Sequence, residues 1–288
     1  MGSPDTTSYP LDCGHNQQKK AAVINDLSCF GRCSLTVTLP ILSAMKVQCC
    51  PVPTAIFTNH TGYASYAWTD YTDHLDDFIS EWKKLGLRFD AIATGFLGSV
   101  RQIAFVRRFL DAFRDAGTLV AVDPVMGDYG KLYSTYSTDL AQSMRQLLDV
   151  ADILTPNLTE ACILAEVPYN PAPSNAELSD LCERLGEGHA RNIVISGIER
   201  GDDLLNVVFE KGQPPVFLSE RRIGCDRSGT GDVFFSVILG NAVNGVPFVE
   251  SVRRASAFVA KATAHTSKLG IYEEDGLAIE DVLKELVQ

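Results

Sequence analysis

Short apolar runs alternate with amphipathic segments along most of this chain. The runs are rich in Ala, Ile, Leu and Val, and each precedes a polar or glycine-containing stretch. Runs of this kind predict buried strands, and they fall at Ala21–Ile24, Ala55–Phe57, Ala91–Ala93, Leu119–Val122, Ile153–Leu154 and Ile193–Ile195. Strands that alternate with helices predict a three-layer α/β/α fold with a mainly parallel central sheet.

Two of the intervening segments have clear helical signals. Ser34 to Met45 is predicted as a helix, in which Pro40 could introduce a kink. Ser99 is predicted to cap another helix, and the apolar residues at helical spacing after it are Ile103, Val106, Phe109, Leu110 and Phe113. Such a stripe predicts a helix with one face packed on the sheet.

The two ends of the predicted sheet region differ. Leu205–Phe209 and Val216–Leu218 flank Lys211-Gly212 and predict an antiparallel hairpin joined to the sheet. Residues 1–19 are polar and lack periodicity, so a disordered amino-terminal tail is expected there. No linker or repeat divides the rest, and residues 20–288 are predicted to form a single domain.

Composition narrows the possible partners. Hydrophobic residues make up 45% of the 288 positions and the formal net charge is −11. Such a charge disfavours nucleic acid and anionic membrane surfaces as partners. No run of about 18 apolar residues is present, so a cytoplasmic protein is expected. The eight cysteines form no C-x-x-C pair, which predicts reduced thiols, with Cys225 in the loop before a glycine-rich turn as the exception to watch.

The glycine-rich turn lies at Arg227–Gly231 and is followed by Asp232 and a long apolar run. Glycines allow a tight turn and close approach of a ligand, and the free amides at a helix start attract an anion. A carboxylate would repel that anion, so Asp232 is better interpreted as a base beside a phosphoryl group. The alternative is a core helix with an ordinary amino-terminal cap.

Polar residues follow most of the predicted strands. Open α/β sheets bind ligands beyond the carboxyl ends of their strands, so one rim is expected to gather Asn25, Asp26, Asn59, His60, Gly95, Asp123, Asp128, Asn157, Glu160 and Ser196. Several carboxylates on one edge repel each other unless cations offset them, and Mg²⁺ with a nucleotide phosphate would do so. Taken singly, each carboxylate could equally lie in a solvated loop or cap a helix.

Six segments of the chain resemble the vitamin B6 kinases, the pyridoxal/pyridoxamine kinases of the ribokinase-like superfamily. In the one-letter code they are INDLSCFG (24–31), FTNHTGY (57–63), TGFLGS (94–99), DPVMGD (123–128), TPNLTE (155–160) and GTGD (229–232). They occur in the family's order and spacing over essentially residues 20–288. The superfamily shares GTGD, whereas FTNHT and DPVMGD are more specific to the B6 branch.

The resemblance implies an ATP- and Mg²⁺-dependent kinase acting on the 5′-hydroxyl of a B6 vitamer. Asp232 would be the base, and Gly229, Thr230 and Gly231 would form the anion hole. The vitamer would be bound by Asp26, Phe57, Thr61, Phe96 and Val125. The nucleotide would be bound by Asp128, Asn157, Glu160 and Ser196, and the metal site, with a monovalent cation such as K⁺ nearby, by Asp123, Thr155 and Glu160. A homodimer is also implied.

Two positions depart from the family pattern. Asp26 stands where Ser is common, and Phe96 stands where Tyr is common. A carboxylate at residue 26 could favour pyridoxamine over pyridoxal, unless Asp26 faces solvent or caps the next segment. A sister branch phosphorylates the hydroxymethylpyrimidine precursor of thiamine but usually carries Cys at the position of Asp232. A non-catalytic pyridoxal-binding protein is the other alternative.

Overall fold

The computed structural model of the chain describes residues 14–287. Its strands are β1 Lys20–Ser28, β2 Gln48–Phe57, β3 Trp68–Asp70, β4 Ala91–Thr94, β5 Leu119–Val122, β6 Gly127–Asp128, β7 Lys131–Leu132, β8 Ile153–Leu154, β9 Asn192–Arg200, β10 Asp203–Glu210 and β11 Val216–Arg221. Its helices are α1 Ser34–Ala44, α2 Leu75–Lys84, α3 Val100–Phe113, α4 Thr138–Ser143, α5 Leu158–Leu164, α6 Asn175–Gly186, α7 Thr230–Val243 and α8 Phe248–Leu269.

Nine strands form the central sheet, in the order β11-β10-β9-β8-β5-β4-β1-β2-β3. The six strands from β9 to β2 pair in parallel. The edges are antiparallel, because β3 pairs with β2 at one end and the β10–β11 hairpin pairs with β9 at the other. Both the mainly parallel sheet and the appended hairpin are as the sequence predicts.

Two hydrophobic cores cover the two faces of the sheet. Along β1, Ala22 and Ile24 belong to one core, whereas Ala21 and Val23 belong to the other. This alternation follows from the period of two residues in a strand. Helix α3 covers the first face and helix α7 the second, which gives the three predicted layers.

The predicted amphipathic helix is confirmed in α3. The Ser99 side chain accepts a hydrogen bond from the Gln102 amide and caps the helix. Its apolar stripe is buried at every predicted position, namely Ile103, Val106, Phe109, Leu110 and Phe113. Helix α1 also forms as predicted and continues as one helix through Pro40.

Strands β1 and β2 are longer than predicted, and the predicted end of β9 is wrong. Strand β9 does not stop at Ser196-Gly197 but continues to Arg200. Gly197 has φ +69° and the register with β10 shifts nearby, between Leu205 and Val207. The glycine therefore allows an irregularity within the strand and does not end it.

The predicted tail and domain boundary are only partly within the described residues. Residues 1–13 lie outside them. Between residues 14 and 19, Asn16 bonds to the backbone of Gly86 and Arg88, and Lys19 Nζ donates to the Val243 carbonyl. The single domain over 20–288 stays a prediction. Within residues 14–287, we find no helix with the length and apolar character needed to span a membrane.

Candidate active site

The glycine-rich turn is locked against the segment before α1. Gly229 has φ +74°, and a Cβ there would lie 1.9 Å from the Arg32 carbonyl oxygen. Gly231 has open space around its Cα. The Thr230 hydroxyl donates to the Arg227 carbonyl and closes the turn. The turn leads directly into α7, and the first backbone amides of a helix have no partner within the helix.

Asp232 lies in the first turn of α7 and is half-buried. Its carboxylate accepts a hydrogen bond from the Ser34 backbone amide, and Asn25 Nδ2 lies 3.4 Å from Oδ1. Burial, together with the nearby Asp26 carboxylate, raises the pKa of Asp232 to about 6. A carboxyl with this pKa is ionised at neutral pH yet basic enough to accept a proton.

Asp26 does not face solvent, since it is only 5% exposed. The Ser34 hydroxyl donates to Oδ1 at 2.6 Å and the Ser28 hydroxyl donates to Oδ2 at 2.8 Å. Desolvation raises the pKa of Asp26, and the two hydroxyls partly offset it. Ser34 is held at φ +49°, a strained conformation for a residue with a Cβ. Its amide and hydroxyl thus fix two carboxylates at once.

Aromatic rings form a wall beside these acids. Phe57 ends β2, is buried, and stacks on Trp68 with ring centroids 5.4 Å apart and an interplanar angle of 9°. Phe96 meets Phe57 edge-on at 5.9 Å. The Trp68 ring is 47% exposed, so it presents the open surface of this stack. Such a surface suits a flat apolar ring.

The other two predicted vitamer residues are placed differently. Val125 is half-buried in the loop after β5. Thr61 is exposed in the β2–β3 loop, which we define as residues 58–67. The loop is closed at its base by a hydrogen bond from the Thr58 amide to the Ala67 carbonyl.

A second group of acids follows β5 and β8. Asp123 comes directly after β5, and its Oδ1 accepts a bond of 2.8 Å from the Thr155 hydroxyl. Desolvation and the neighbouring Asp232 charge raise the pKa of Asp123. Desolvation and the Asp123 charge likewise raise the pKa of Glu160. The Asp123 carboxylate is thus close enough to interact electrostatically with those of Asp232 and Glu160.

Glu160 is fixed by the start of α5. Asn157 and Glu160 form a reciprocal capping box, and the second Glu160 oxygen accepts from the Met126 amide at 3.0 Å. Asn157 Nδ2 also donates to the Gly127 carbonyl, and Asn157 forms a β-bridge with Ser196. The β-bridge therefore brings Ser196, which is distant in the sequence, to the capping box of Asn157 and Glu160.

Asp128 lies on the short β6–β7 hairpin and is exposed. The next residue, Tyr129, has φ +50° and donates its hydroxyl hydrogen to Asp226 in the loop before the glycine-rich turn. Arg222 pairs with both Asp226 and Glu199. Surface contacts of this kind connect the hairpin to the turn.

The donors near Asp123 suit a hard cation only in combination with other ligands. Within residues 14–287, no three His, Cys, Asp or Glu side chains converge as a metal site. Both Glu160 oxygens already accept backbone amides, whereas Asp123 keeps an oxygen that accepts no hydrogen bond among the described residues. Mg²⁺ keeps several waters and binds through one or two carboxylates with substrate phosphates. The arrangement fits Mg²⁺ carried by a nucleotide.

Sequence reasoning placed Asn25 on the ligand rim without a specific role and did not include Ser34 or Trp68 in the site. Asn25 bridges Asp232 and the Phe96 amide, Ser34 bonds both acids, and Trp68 covers Phe57. Asn25 was detectable as a strand-end amide, and Ser34 as the first residue of a predicted helix. Trp68 had no signal, because β3 is three residues long.

The fold and this site define a kinase of the ribokinase-like class, and comparisons with known proteins narrow it further. The family model for phosphomethylpyrimidine kinase matches residues 39–276. The chain belongs to this family, which joins the phosphomethylpyrimidine and pyridoxal kinases.

Individual relatives carry names from both activities. A pyridoxine/pyridoxal/pyridoxamine kinase of Bordetella pertussis is 23% identical over 256 residues, covering 85% of this chain and 88% of the relative. A bifunctional thiamine biosynthesis protein of Geobacter sulfurreducens is 28% identical over 200 residues. That match covers 69% of this chain and only 39% of the relative's length.

Solved structures are similar over nearly the whole chain. A Bacteroides thetaiotaomicron protein named as a phosphomethylpyrimidine kinase is 36% identical with a TM-score of 0.92, covering 95% of this chain and 96% of that one. A second crystal form of that protein contains pyridoxal and has a TM-score of 0.89. The pyridoxal kinase of Lactobacillus plantarum is 30% identical, with a TM-score of 0.86 and coverage of 93% and 96%.

Proposed function

We propose that the protein transfers the terminal phosphoryl group of ATP to the 5′-hydroxyl of a vitamin B6 vitamer. The observation that carries this proposal is the placement of Asp232. It lies one residue after Gly231 at the start of α7, with a pKa raised to about 6 and two fixed hydrogen-bond partners. Phosphoryl transfer asks mainly for alignment and charge neutralisation, and a base at the anion site supplies the remaining proton acceptor.

In the proposed reaction, Asp232 takes the proton of the 5′-hydroxyl as that oxygen attacks the terminal phosphorus of ATP, and the bond from that phosphorus to the bridging oxygen breaks to release ADP. Amides of Gly229, Thr230 and Gly231 donate hydrogen bonds to the transferred group. Because these donors belong to a locked turn, they are oriented before the charge develops, and preorganised donors are the effective ones. Asn25 and the Ser34 amide keep Asp232 from rotating away.

The substrate pocket proposed here combines Asp26, Phe57, Thr61, Phe96 and Val125, with Trp68 added from the structure. A flat pyridine ring would lie against the aromatic wall, with Asp26 accepting a hydrogen bond at its edge. Support comes from the Bacteroides thetaiotaomicron structure with pyridoxal, since that protein is 36% identical.

The nucleotide side is proposed to use Asp128, Asn157, Glu160 and Ser196. Asp123, Thr155 and Glu160 would bind Mg²⁺ through water and phosphate oxygens, with a monovalent cation such as K⁺ nearby. The metal would neutralise phosphate charge. The protein's own part is to hold those oxygens in register through the capping box of Asn157 and Glu160.

Phosphorylation of hydroxymethylpyrimidine is the second candidate, favoured by the name of the matching family model. The sister branch usually carries Cys where this chain has Asp232, so that residue favours the B6 activity. The same intact Asp232 disfavours a non-catalytic pyridoxal-binding protein.

A direct assay tests the proposal. Purified protein is incubated with ATP, Mg²⁺ and, separately, pyridoxal, pyridoxamine, pyridoxine or hydroxymethylpyrimidine, and the product is measured. The proposal is supported if the highest kcat/KM among the four compounds belongs to a B6 vitamer. A higher kcat/KM for hydroxymethylpyrimidine favours the second candidate, and no turnover of any compound overturns both. Sedimentation at micromolar concentration tests the proposed homodimer.

A further inference from the structure

The segment after α8 contacts two separate parts of the candidate site. We call residues 271–276 the brace. The Tyr272 side chain is 79% exposed, and the brace contacts the site mainly through its backbone carbonyls. It ends at Gly276, which has φ +78° and would place a Cβ 2.7 Å from the Arg32 carbonyl oxygen. Close backbone approach therefore fixes the end of the brace.

One contact of the brace is with the β2–β3 loop. His60 Nδ1 accepts a bond from the Gly62 amide, so Nε2 carries the proton and donates to the Glu274 carbonyl. The backbones of Gly31 and Gly62 pack directly against the imidazole ring, since a Cβ at either glycine would lie within 2.8 Å of it. This packing holds the ring in one position. Tyr63 adds a bond of 2.7 Å from its hydroxyl to the Asp275 carboxylate.

The other contact is with the glycine-rich turn. Arg227 Nη1 donates to the carbonyls of Ile271 and Tyr272, both at 3.0 Å. Arg32, whose carbonyl packs on Gly229, also bonds through its amide and Nη1 to the Asp275 carbonyl. Among residues 14–287, no carboxylate pairs with Arg227 and its buried Nε has no hydrogen-bond partner, so the hydrogen bonds of this side chain go to the brace carbonyls.

We propose that the brace sets the position of the β2–β3 loop relative to the glycine-rich turn, with His60 and Arg227 as positioning residues. The inference rests on the proposed function, in which a substrate lies between these two segments. The loop is largely exposed, so its position must be set by contacts with other parts of the chain. A misplacement of about 1 Å between reacting groups can cost about 100-fold in rate.

Hydrogen exchange tests the connection without any substrate. Arg227→Met removes the donors of the turn contact but keeps a similar stem. It is expected to accelerate exchange in residues 58–67, which Arg227 does not contact. His60→Ala is expected to accelerate exchange in residues 227–232. Unchanged rates in the distant segment for both variants would overturn the proposal, whatever the enzyme's substrate.

Two controls separate the brace from other effects. Ser228→Ala tests direct contact, because a Cβ at Gly62 would lie 3.6 Å from the Ser228 hydroxyl. If Ser228→Ala alone reproduced the acceleration in the loop, the direct contact and not the brace would carry the effect. The β10–β11 hairpin must keep wild-type exchange, and Tyr63→Phe offers a milder variant if His60→Ala does not fold.

Kinetics add a second readout once the wild type is found to act on a vitamer. His60→Ala should lower kcat at least tenfold with KM for ATP within about twofold, and His60→Gln should recover part of it by donating to the Glu274 carbonyl. Tyr272→Ala, an exposed brace side chain, should behave as wild type. Wild-type kcat in His60→Ala would refute the role of His60, whereas an inert wild type would refute only the proposed function.

Discussion

The two halves of the cleft are built differently. The proposed substrate half comprises Asn25, Asp26, Ser34 and Asp232, and its acids accept hydrogen bonds from hydroxyl groups, the Asn25 side-chain amide and a backbone amide. The proposed nucleotide half includes the β6–β7 hairpin, where Asp128 is exposed and Tyr129 reaches Asp226 across the surface.

This difference separates side chains that hold a fixed geometry from a surface that ligands can enter and leave. Asp232 is held by the Ser34 amide and Asn25, which suits the group that would meet a reacting hydroxyl within hydrogen-bond distance. Surface contacts are individually weak in water, which suits a rim that must admit and release a nucleotide. Substitutions in the two halves should therefore have effects of different size and kind.

The largest effect is expected at Asp232. Asp232→Asn should lower kcat at least about 100-fold, the lower range for loss of a general base, while vitamer and ATP affinities stay close to wild type. Steady-state kinetics and calorimetric titration measure the two quantities. Asp111→Asn, an exposed change on α3, is the matched control. A loss below about tenfold would mean that another group takes the proton.

Gly229→Ala tests whether the turn must be rigid. Gly229 and Gly245 both have positive φ, but only Gly229 has backbone in the way of a Cβ. Both alanine variants should lose about 1 kcal/mol of stability or more, and only Gly229→Ala should also lose more than tenfold in kcat. Thermal melts and kinetics on the pair check this, and equal activity losses would argue against a special role for the turn.

Asp26→Ser tests vitamer choice in the substrate half. A charge-assisted hydrogen bond is worth about 1.5–3 kcal/mol, or roughly 10- to 150-fold. Because both oxygens of Asp26 already accept hydroxyl bonds, the low end, about tenfold, is expected for any preference for pyridoxamine over pyridoxal. The measurement is the ratio of the two kcat/KM values at matched pH. An unchanged ratio would leave Asp26 with a structural role.

Burial of the Asp232 carboxylate should also lower the stability of the folded protein. The pKa of Asp232 is about 6 when folded, against a reference value of 3.8, so the folded state holds the proton more tightly. The free energy of unfolding therefore falls as pH rises from about 4 to 6, and the cost persists above that window. Asp232→Asn should melt a few degrees higher than wild type at pH 8 and similarly at pH 4. No gain at pH 8 would contradict this account.

The smallest effect is expected in the nucleotide half. Tyr129→Phe removes the bond to Asp226 and should raise KM for ATP by about threefold or less, because an exposed hydrogen bond contributes about 0.5 kcal/mol, the low end of the usual range. Tyr71→Phe, after the edge strand β3 at the opposite end of the sheet from β9, serves as the control. A tenfold loss in kcat would show that the hairpin takes part in alignment, and the contrast between the halves would fail.

The layered fold could be predicted from the sequence because the strands are apolar runs and α3 has an apolar stripe at helical spacing. Both patterns are required by burial of these elements against the sheet. The sequence also located the acids, since parallel strands place their carboxyl ends on one edge. It misplaced the end of β9, because Gly197 signals a turn whether a strand stops or only bulges. The vitamer and nucleotide roles of the individual residues stay predictions.

Other features depend on contacts between distant parts of the chain. No local pattern announces that Ser34 adopts φ +49° and bonds two carboxylates, or that Trp68 stacks on Phe57. The raised pKa values of Asp26, Asp123 and Asp232 likewise arise only on folding, chiefly from burial and, for Asp123 and Asp232, also from a neighbouring carboxylate. Such properties belong to the assembled cleft.

The stacking of Trp68 on Phe57 gives the protein a built-in optical reporter. The chain has two tryptophans. Trp82 is partly buried and packs against Phe78, Phe89, Phe109 and Phe113 beside the core, whereas Trp68 is 47% exposed on the aromatic wall. In a Trp82→Phe background the emission would come from Trp68 alone, so occupancy of the pocket could be followed by fluorescence during a single turnover, with no label attached.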